Sequence, residues 1–137
     1  MELKEKETGN QLDVTYNDKG LIAAIVQDVE SGQVLMLGWM NQAALEQTLQ
    51  TRKATFYSRS RDKIWVKGES SGHIQQVVDV RVDCDQDAIL LRCQSQGPAC
   101  HVGYQTCFYR AIEPDDHLQF VESRVFDPDQ VYAEGSN

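Results

Sequence analysis

The stretch VVDVRVDCDQDAILLRC, residues 77–93, contains two apolar segments on either side of a short, mostly acidic segment. Residues 77–82 alternate valine with polar residues and predict a half-buried β-strand. Residues 88–93 form a short apolar run and predict a second, more deeply buried strand. The polar residues 83–87 between them are few enough to form a turn. This stretch therefore predicts two strands whose connection carries three carboxylates.

The segment before residue 53 predicts a second hairpin followed by a helix. Residues 21–26 (LIAAIV) and 34–37 (VLML) are apolar and are separated by a Ser-Gly turn at residues 31–32. Asn41 is a typical helix N-cap, and good helix formers continue to about Arg52. By contrast, residues 1–20 are polar and are expected to form a loosely ordered lead-in.

The rest of the sequence predicts further short strands. Residues 54–58 and 64–66 are expected to pair across a charged turn, and the aromatic-rich residues 104–109 are expected to form the last strand after the Gly-Pro break at 97–98. Strands outnumber helices in this pattern. We therefore predict an α+β fold, a mostly antiparallel β-sheet with one or two helices.

Composition limits the possible functions. The protein has 137 residues and a formal net charge of -8, with a pI of about 4.7. Its length predicts one domain, residues 1–112, and the acidic residues 113–137 are expected to be a solvated extension or a surface helix. An acidic balance argues against nucleic-acid and anionic-membrane partners. The sequence contains no apolar run typical of a signal peptide or a membrane span, so we expect a cytoplasmic protein.

Three carboxylates, Asp83, Asp85 and Asp87, alternate along the connection between the two strands. In an extended segment alternate side chains project to one face, which would place Cys84 on the other face. Clustered carboxylates repel one another unless a cation lies between them, and oxygen ligands of this kind suit Mg²⁺. A plain polar turn explains the same residues equally well.

Cysteines are the next chemical signal. A cytoplasmic protein rarely keeps disulfides, which leaves Cys84, Cys100 and Cys107 as candidate zinc ligands, reactive thiols or small buried side chains. Three thiolates with one open position would form a catalytic zinc site, and Cys84 could reach it from a second subunit. Cys93 ends an apolar strand and is expected in the core. Three roles are open for His101: zinc ligand, general acid/base or loop residue. General acid/base catalysis is the preferred interpretation.

A basic stretch lies between residues 51 and 82, and its flexible part carries glycines and serines. Such a segment can hold phosphate groups through side chains and backbone N–H groups. An ordinary basic surface with a loop is the alternative. The candidate substrate-binding residues are Arg59, Arg61, Lys67, Ser70, Ser71 and His73.

Taken together, these motifs resemble the phosphoribosyl-AMP cyclohydrolase family of histidine biosynthesis. The matching stretches are VLMLGWMN at 34–41, FYSRSRDKIWVKGESSGHIQQV at 56–77, DCDQDAILL at 83–91 and GPACHVGYQTCFYR at 97–110. The resemblance covers about residues 13–112. Ser70 and Thr106 stand where the family would lead us to expect Thr and Ser, and both exchanges keep the hydroxyl group.

The resemblance implies an intertwined homodimer with two kinds of metal ion. Its implied Mg²⁺ ligands are Asp83, Asp85 and Asp87, and its implied Zn²⁺ ligands, shared across the dimer, are Cys84, Cys100 and Cys107. The implied reaction is hydrolysis of the C6–N1 bond of an adenine whose N1 carries a phosphoribosyl group. Zinc-activated water is the expected nucleophile, and His101 is the candidate proton carrier.

Two other functions fit part of the pattern. A purine-nucleotide deaminase would release ammonia, but the sequence lacks the H-x-E…P-C-x-x-C pattern of the zinc deaminases. A non-catalytic, zinc-bridged dimeric module would use the same cysteines, with His101 as a possible fourth ligand. Trp65 is expected either to stack on a base or to lie half-buried in the core, and His117 is not expected to take part.

Overall fold

A computed structural model describes residues 1–129 of the protein. Two helices and eight strands lie wholly within this part, and strands dominate. They are α1 Leu3–Thr8, β1 Ile22–Asp28, β2 Val34–Met40, α2 Gln42–Thr51, β3 Thr55–Ser58, β4 Lys63–Val66, β5 Gln75–Val82, β6 Ala88–Ser95, β7 Arg110–Ile112 and β8 Leu118–Phe120.

A four-stranded sheet in the order β2-β1-β6-β5 forms the centre of the molecule. The pairs β1–β2 and β5–β6 are antiparallel, whereas β1 and β6 run parallel to each other. Two small antiparallel sheets, β3–β4 and β7–β8, complete the fold. The predicted α+β class with a mostly antiparallel sheet is confirmed.

The core lies on one face of the central sheet because alternate side chains of its inner strands point there. Along β6 the buried residues are Ile89, Leu91 and Cys93, and every second residue between them is only partly buried. Phe56 of β3 lies fully buried in the same cluster. Each large side chain buried in this way stabilises the fold by about 1.5–3 kcal/mol. Cys93 is 0% exposed, which confirms its predicted place in the core.

Helix α2 begins and ends where the sequence predicts. The Asn41 side chain accepts a hydrogen bond from the Ala44 N–H at 2.8 Å, which satisfies one of the free donors of the first turn. The helix ends at Arg52, whose left-handed backbone (φ 62°) stops the helical path. Ala44 and Leu45 are buried and attach the helix to the core.

The predicted strand at residues 104–109 is wrong. Residues 99–105 fold back on themselves, with Ala99 N–H donating to Gln105 C=O and Cys100 N–H donating to Tyr104 C=O, both at 3.1 Å. The aromatic residues that favoured a strand stack on each other instead, and the Tyr104 and Tyr109 rings lie 3.8 Å apart and nearly parallel. Strand pairing begins only at Arg110, in β7.

The two ends of the described region are more structured than expected. Residues 3–8 form α1, which buries no residue and therefore leaves no hydrophobic periodicity in the sequence. Strands β7 and β8 form a hairpin that spans the predicted boundary at residue 112, and that boundary stays a prediction. Residues 130–137 of the predicted extension lie outside the described residues. Neither helix within residues 1–129 has the length and apolar character needed to cross a membrane.

Candidate functional site

The three aspartates between β5 and β6 come together in a turn. One carboxylate oxygen from each of Asp83, Asp85 and Asp87 lies within 4.8 Å of the others. The segment is not extended as predicted: the Asp83 carboxylate accepts hydrogen bonds from the N–H groups of Asp87 (3.0 Å) and Ala88 (3.1 Å), which curls the backbone around it. The predicted clustering is therefore correct, although a turn and not strand alternation produces it.

Electrostatics within this turn favour a cation. Hydrogen bonds with the Asp85 and Asp83 carboxyl groups, together with their negative charges, raise the pKa of Asp87 to about 6. Burial acts to raise the pKa of Asp83, but the hydrogen bonds from Asp87 and Ala88 outweigh it and leave that pKa lowered. A divalent cation between the three groups would relieve the repulsion, so the donor set fits Mg²⁺.

Cys100 and Cys107 lie near each other in the loop between β6 and β7, close enough for the Cys100 thiol to affect the pKa of Cys107. The Cys107 N–H donates to the Leu35 C=O of β2 at 2.7 Å, which fixes one end of the loop to the central sheet. The Cys100 sulfur accepts a hydrogen bond from the Val102 N–H at 3.4 Å.

Lys67 supplies the positive charge next to this thiol pair. Burial, and next the charge of Cys100, raise the pKa of Cys107 to about 11, and the Lys67 ammonium partly offsets both effects. Burial in turn lowers the pKa of Lys67, against the attraction of the two sulfurs. Cys107 is nevertheless an exposed residue, so protein atoms surround one side of it and solvent reaches the other. The two thiols beside the Lys67 ammonium are ligands of the type that Zn²⁺ prefers. Two ligands are too few for a complete zinc site.

Cys84 does not join the other two cysteines within this chain. Among residues 1–129, the aspartate trio is the only group of three or more potential metal ligands that the fold brings together. Cys84 is exposed and lies in the carboxylate turn, where it lines a cavity formed with residues of the N-terminal segment. A protomer thus offers two thiols at one place and the third at another.

A cavity of about 350 Å³ collects most of the predicted substrate-binding residues. It is lined by Arg61, Lys67, Ser70, Ser71 and His101, together with Trp65, Val66, Gly68 and Glu69. Since Lys67 also faces the thiol pair, this cavity adjoins the candidate zinc ligands. Its wall bends at Gly68, with φ +86°, where a Cβ would lie 2.3 Å from the backbone carbon of His73. Only glycine fits there.

Two of the predicted binding residues lie outside this cavity. Arg59 lines a neighbouring cavity of about 410 Å³ that shares Arg61 and Trp65 with the first, and its guanidinium lies 5.8 Å from the Trp39 ring centre. His73 packs edge-on against Phe126, with ring centres 5.3 Å apart. His117, which is not expected to take part, lies on the surface with its Nδ1 2.9 Å from the Asp115 carboxylate.

Sequence reasoning missed two residues that shape the site, Glu69 and Thr106, whereas it had singled out Trp65. Glu69 places a carboxylate in the cavity wall, and its position inside the glycine- and serine-rich segment was the available signal. Thr106 is buried and donates its hydroxyl hydrogen to the Val34 C=O at 2.8 Å, which anchors the thiol loop. Trp65 lines the cavity and also packs on Phe56, with ring centres 5.3 Å apart. It therefore lies in the cavity wall and contacts the core at the same time.

Comparison with known proteins agrees with this arrangement. The model of the phosphoribosyl-AMP cyclohydrolase family matches residues 36–109. Proteins named phosphoribosyl-AMP cyclohydrolase are 51% identical in Chlorobium phaeovibrioides (120 residues, 88% of each chain) and 50% identical in Prosthecochloris aestuarii (123 residues, 90% of each chain). One from Rhizorhabdus wittichii is 54% identical over 112 residues, which is 82% of this chain and 90% of the relative. The matched region contains the aspartate turn, the thiol pair and the cavity, and the chain therefore belongs to the phosphoribosyl-AMP cyclohydrolase family.

Proposed function

We propose that this protein hydrolyses the C6–N1 bond of the adenine ring in 1-(5-phosphoribosyl)-AMP. The reaction opens the purine and gives the phosphoribosylformimino-aminoimidazole carboxamide ribotide of histidine biosynthesis. The observation that carries the proposal is the cavity in which His101 and Lys67 lie together with serine hydroxyls, next to the paired thiols. Family membership supports the same activity.

The substrate is activated for attack by its own structure. A phosphoribosyl group on N1 makes C6 electron-poor and makes N1 a better leaving group. When bound, a zinc ion with three thiolates and one open position lowers the pKa of water toward neutrality and so supplies a nucleophile for C6. Here Cys100 and Cys107 would hold that ion, and their anchored loop keeps them beside the cavity.

His101 is the residue we assign to proton transfer. It is exposed in a turn and lines the cavity, so a substrate atom can reach its imidazole. Ring opening requires a proton on N1 as the C6–N1 bond breaks, and imidazole is the side chain best suited to accept and return protons near neutral pH. Its neighbour Cys100 is tied to Tyr104 and Gly103 by backbone hydrogen bonds, which hold the loop that carries His101.

The two phosphate ends of the substrate call for positive and hydrogen-bonding groups. Arg61, Ser70 and Ser71 line the cavity and are suited to one phosphate, while Arg59 in the neighbouring cavity is suited to the other. Trp65 lies in the wall of both cavities and offers a ring face to the adenine. Lys67 is less suited to phosphate than the sequence predicts, because its charge already faces the thiols.

A Mg²⁺ ion held by the aspartate turn would bind a substrate phosphate and neutralise part of its charge. The short distances between the three carboxylates support this site. Oxygen ligands suit Mg²⁺ and thiolates suit zinc. The two metals would therefore be held in different parts of one protomer.

Completion of the zinc site requires a second copy of the protein. Two thiols lie together in one protomer, and Cys84 is exposed elsewhere on its surface. We propose an intertwined homodimer in which each zinc takes Cys100 and Cys107 from one protomer and Cys84 from the other. Exposed apolar side chains of the β7–β8 hairpin, such as Ile112 (80% exposed) and Phe120 (59%), support a surface that pairs with another copy.

Incubation with phosphoribosyl-AMP, with and without a zinc chelator, tests this function. We expect an ultraviolet absorbance change from ring opening, no free ammonia, and loss of turnover after chelation. Release of ammonia would indicate a deaminase. If the zinc-loaded dimer shows no turnover, a non-catalytic, zinc-bridged dimeric module would explain the protein better.

A further inference from the structure

Gln86 is the one residue of the carboxylate turn that points into the protein. It is 4% exposed, whereas Asp83 and Asp87 on either side are exposed. Its backbone is left-handed, with φ 58°, a conformation that glycine adopts freely and other residues adopt at a cost. A buried glutamine therefore lies within a turn in which three of the other side chains are carboxylates.

Both polar groups of the Gln86 side chain are bonded to the N-terminal segment. Its Oε1 accepts a hydrogen bond from the Asp13 N–H at 2.7 Å, and its Nε2 donates to the Gln11 C=O at 3.1 Å. The backbone carbonyl of Gln86 accepts from the Thr15 N–H at 2.8 Å. These three bonds join the turn to residues 11–15, which lie more than 70 positions earlier in the sequence.

The same residue closes the turn. The Gln86 N–H donates to the Asp83 C=O at 3.1 Å, so the backbone that carries the first and last aspartates bends at the residue that the N-terminal segment holds. Three like charges within 4.8 Å repel one another and favour a more open turn. The bonds from Gln86 to residues 11–15 oppose that opening.

The N-terminal segment is itself attached near the turn by Lys6 of α1. Its ammonium lies 3.7 Å from the Asp13 carboxylate and hydrogen-bonds to the Thr15 hydroxyl. Lys6 also lines both cavities that flank the turn, one beside Asp83 and Cys84 and one beside Asp85 and Asp87. The segment thus holds Gln86 and places a positive charge beside the carboxylates.

We propose that Gln86 is a positioning residue for the divalent cation: through its hydrogen bonds to residues 11–15 it holds Asp83, Asp85 and Asp87 in the geometry that binds the ion. This inference rests on the metal site named under the proposed function. Gln86 does not touch the ion. Its contribution is the arrangement of the carboxylates before the ion arrives, which lowers the cost of binding.

Mn²⁺ binding to the zinc-loaded, full-length protein tests the proposal, with free Mn²⁺ measured by electron paramagnetic resonance. We expect Gln86→Ala to weaken Mn²⁺ binding about five- to tenfold, the effect of losing hydrogen bonds that hold the site. Gln86→Gly removes the same side-chain bonds but relieves the left-handed backbone, and we expect a similar loss. Amide hydrogen exchange of Asp13 and Thr15 should become faster in both variants, while zinc content stays the same.

Gln76→Ala is the matched control. Gln76 lies at the far end of β5, and its Nε2 donates to the Arg52 C=O at 2.9 Å, so this variant also loses a side-chain-to-backbone bond. It should bind Mn²⁺ like the unmodified protein even if it unfolds at a lower temperature. A general loss of stability would therefore not imitate the expected result.

Three results would overturn the inference. They are unchanged Mn²⁺ affinity in Gln86→Ala despite faster exchange at Asp13 and Thr15, unchanged affinity in Gln86→Gly, and equal weakening by Gln76→Ala. These measurements need no turnover. A protein that fails to hydrolyse phosphoribosyl-AMP but shows the expected Mn²⁺ and exchange changes would contradict the proposed function and support the positioning role.

Discussion

The carboxylate turn and the thiol loop are both candidate metal sites, but the fold assembles them in different ways. Asp83, Asp85 and Asp87 come from five consecutive residues, and one protomer brings all three together. Cys100 and Cys107 are seven positions apart and form a pair, and the third candidate thiol, Cys84, lies in the carboxylate turn. A site built from neighbouring residues can form locally, whereas a site built from distant residues depends on how the whole molecule folds, and the proposed zinc site also needs a second copy.

The two sites also differ in the effect that disfavours the ionised form of their candidate ligands. At the turn, contact with the neighbouring carboxyl groups raises the pKa of Asp87 to about 6. At the loop, burial raises the pKa of Cys107 to about 11, and Lys67 partly counteracts it. A cation removes repulsion at the first site and displaces thiol protons at the second. Metal binding at the loop should therefore release more protons at neutral pH than binding at the turn.

The largest expected effect belongs to the thiol loop. Cys100→Ser replaces a soft ligand with a hydroxyl, and we expect loss of bound zinc and a fall in kcat of more than about 10³-fold. Zinc content by elemental analysis and turnover of phosphoribosyl-AMP measure both effects. Full activity in a zinc-free Cys100→Ser protein would remove zinc from the reaction.

Cys93→Ser provides the matched control. It makes the same chemical change at a cysteine that is 0% exposed in the core. A buried hydroxyl without a partner costs about 1–3 kcal/mol, so we expect a lower Tm with normal zinc content and kcat. Loss of zinc from this variant would show that the thiol loop depends on core stability and not on Cys100 itself.

A change in turnover alone, with zinc retained, is expected at the edge of the thiol loop. His101→Ala should lower kcat by about 10²–10⁴-fold, the usual contribution of an acid/base group, while zinc stays bound. His117→Ala, at an exposed histidine paired with Asp115, should change neither quantity. Loss of zinc from His101→Ala would make His101 a ligand, and an unchanged kcat would exclude it from proton transfer.

The smallest effect is expected at the carboxylate turn. Asp85→Asn should weaken Mg²⁺ binding at least about tenfold, because it removes one charged ligand and leaves two. It should also lower the pKa of Asp87 from about 6 toward its ordinary value, since the contact with Asp85 is the main cause of the rise. Calorimetry with Mg²⁺ and NMR titration of the carboxyl carbons measure these changes. Asp18→Asn, at an exposed turn residue, is the control, and equal effects in both variants would contradict a site at residues 83–87.

Much of the fold and of the carboxylate site can be predicted from local sequence. Alternating and continuous apolar runs predict β1, β2, β5 and β6, and Asn41 marks the start of α2. The spacing of the three aspartates is sufficient to predict their clustering, although the turn that produces it requires the hydrogen bonds of Asp83. Each of these features depends on residues close together in the sequence.

The remaining features depend on contacts that sequence spacing does not reveal. Tyr104 and Tyr109 have strand-forming side chains, but they stack on each other because the loop from Ala99 to Gln105 folds back. The placement of Lys67 beside the thiols and of His73 against Phe126 likewise results from tertiary packing. Assignment of zinc, magnesium and the reaction came from resemblance to a family, since the residues alone left a plain turn and core cysteines as alternatives.

A heterodimer of two inactive variants tests the shared zinc site most directly. Cys84→Ala and Cys107→Ala protomers, carrying different tags, are produced together, and the mixed dimer is isolated through both tags. Each variant alone should lack zinc at its sites and show background turnover, whereas the mixed dimer should recover about half of the unmodified activity, because one of its two sites combines intact cysteines. A folded mixed dimer without activity, or a Cys84→Ala protein that keeps its zinc and its turnover, would contradict a site shared between subunits.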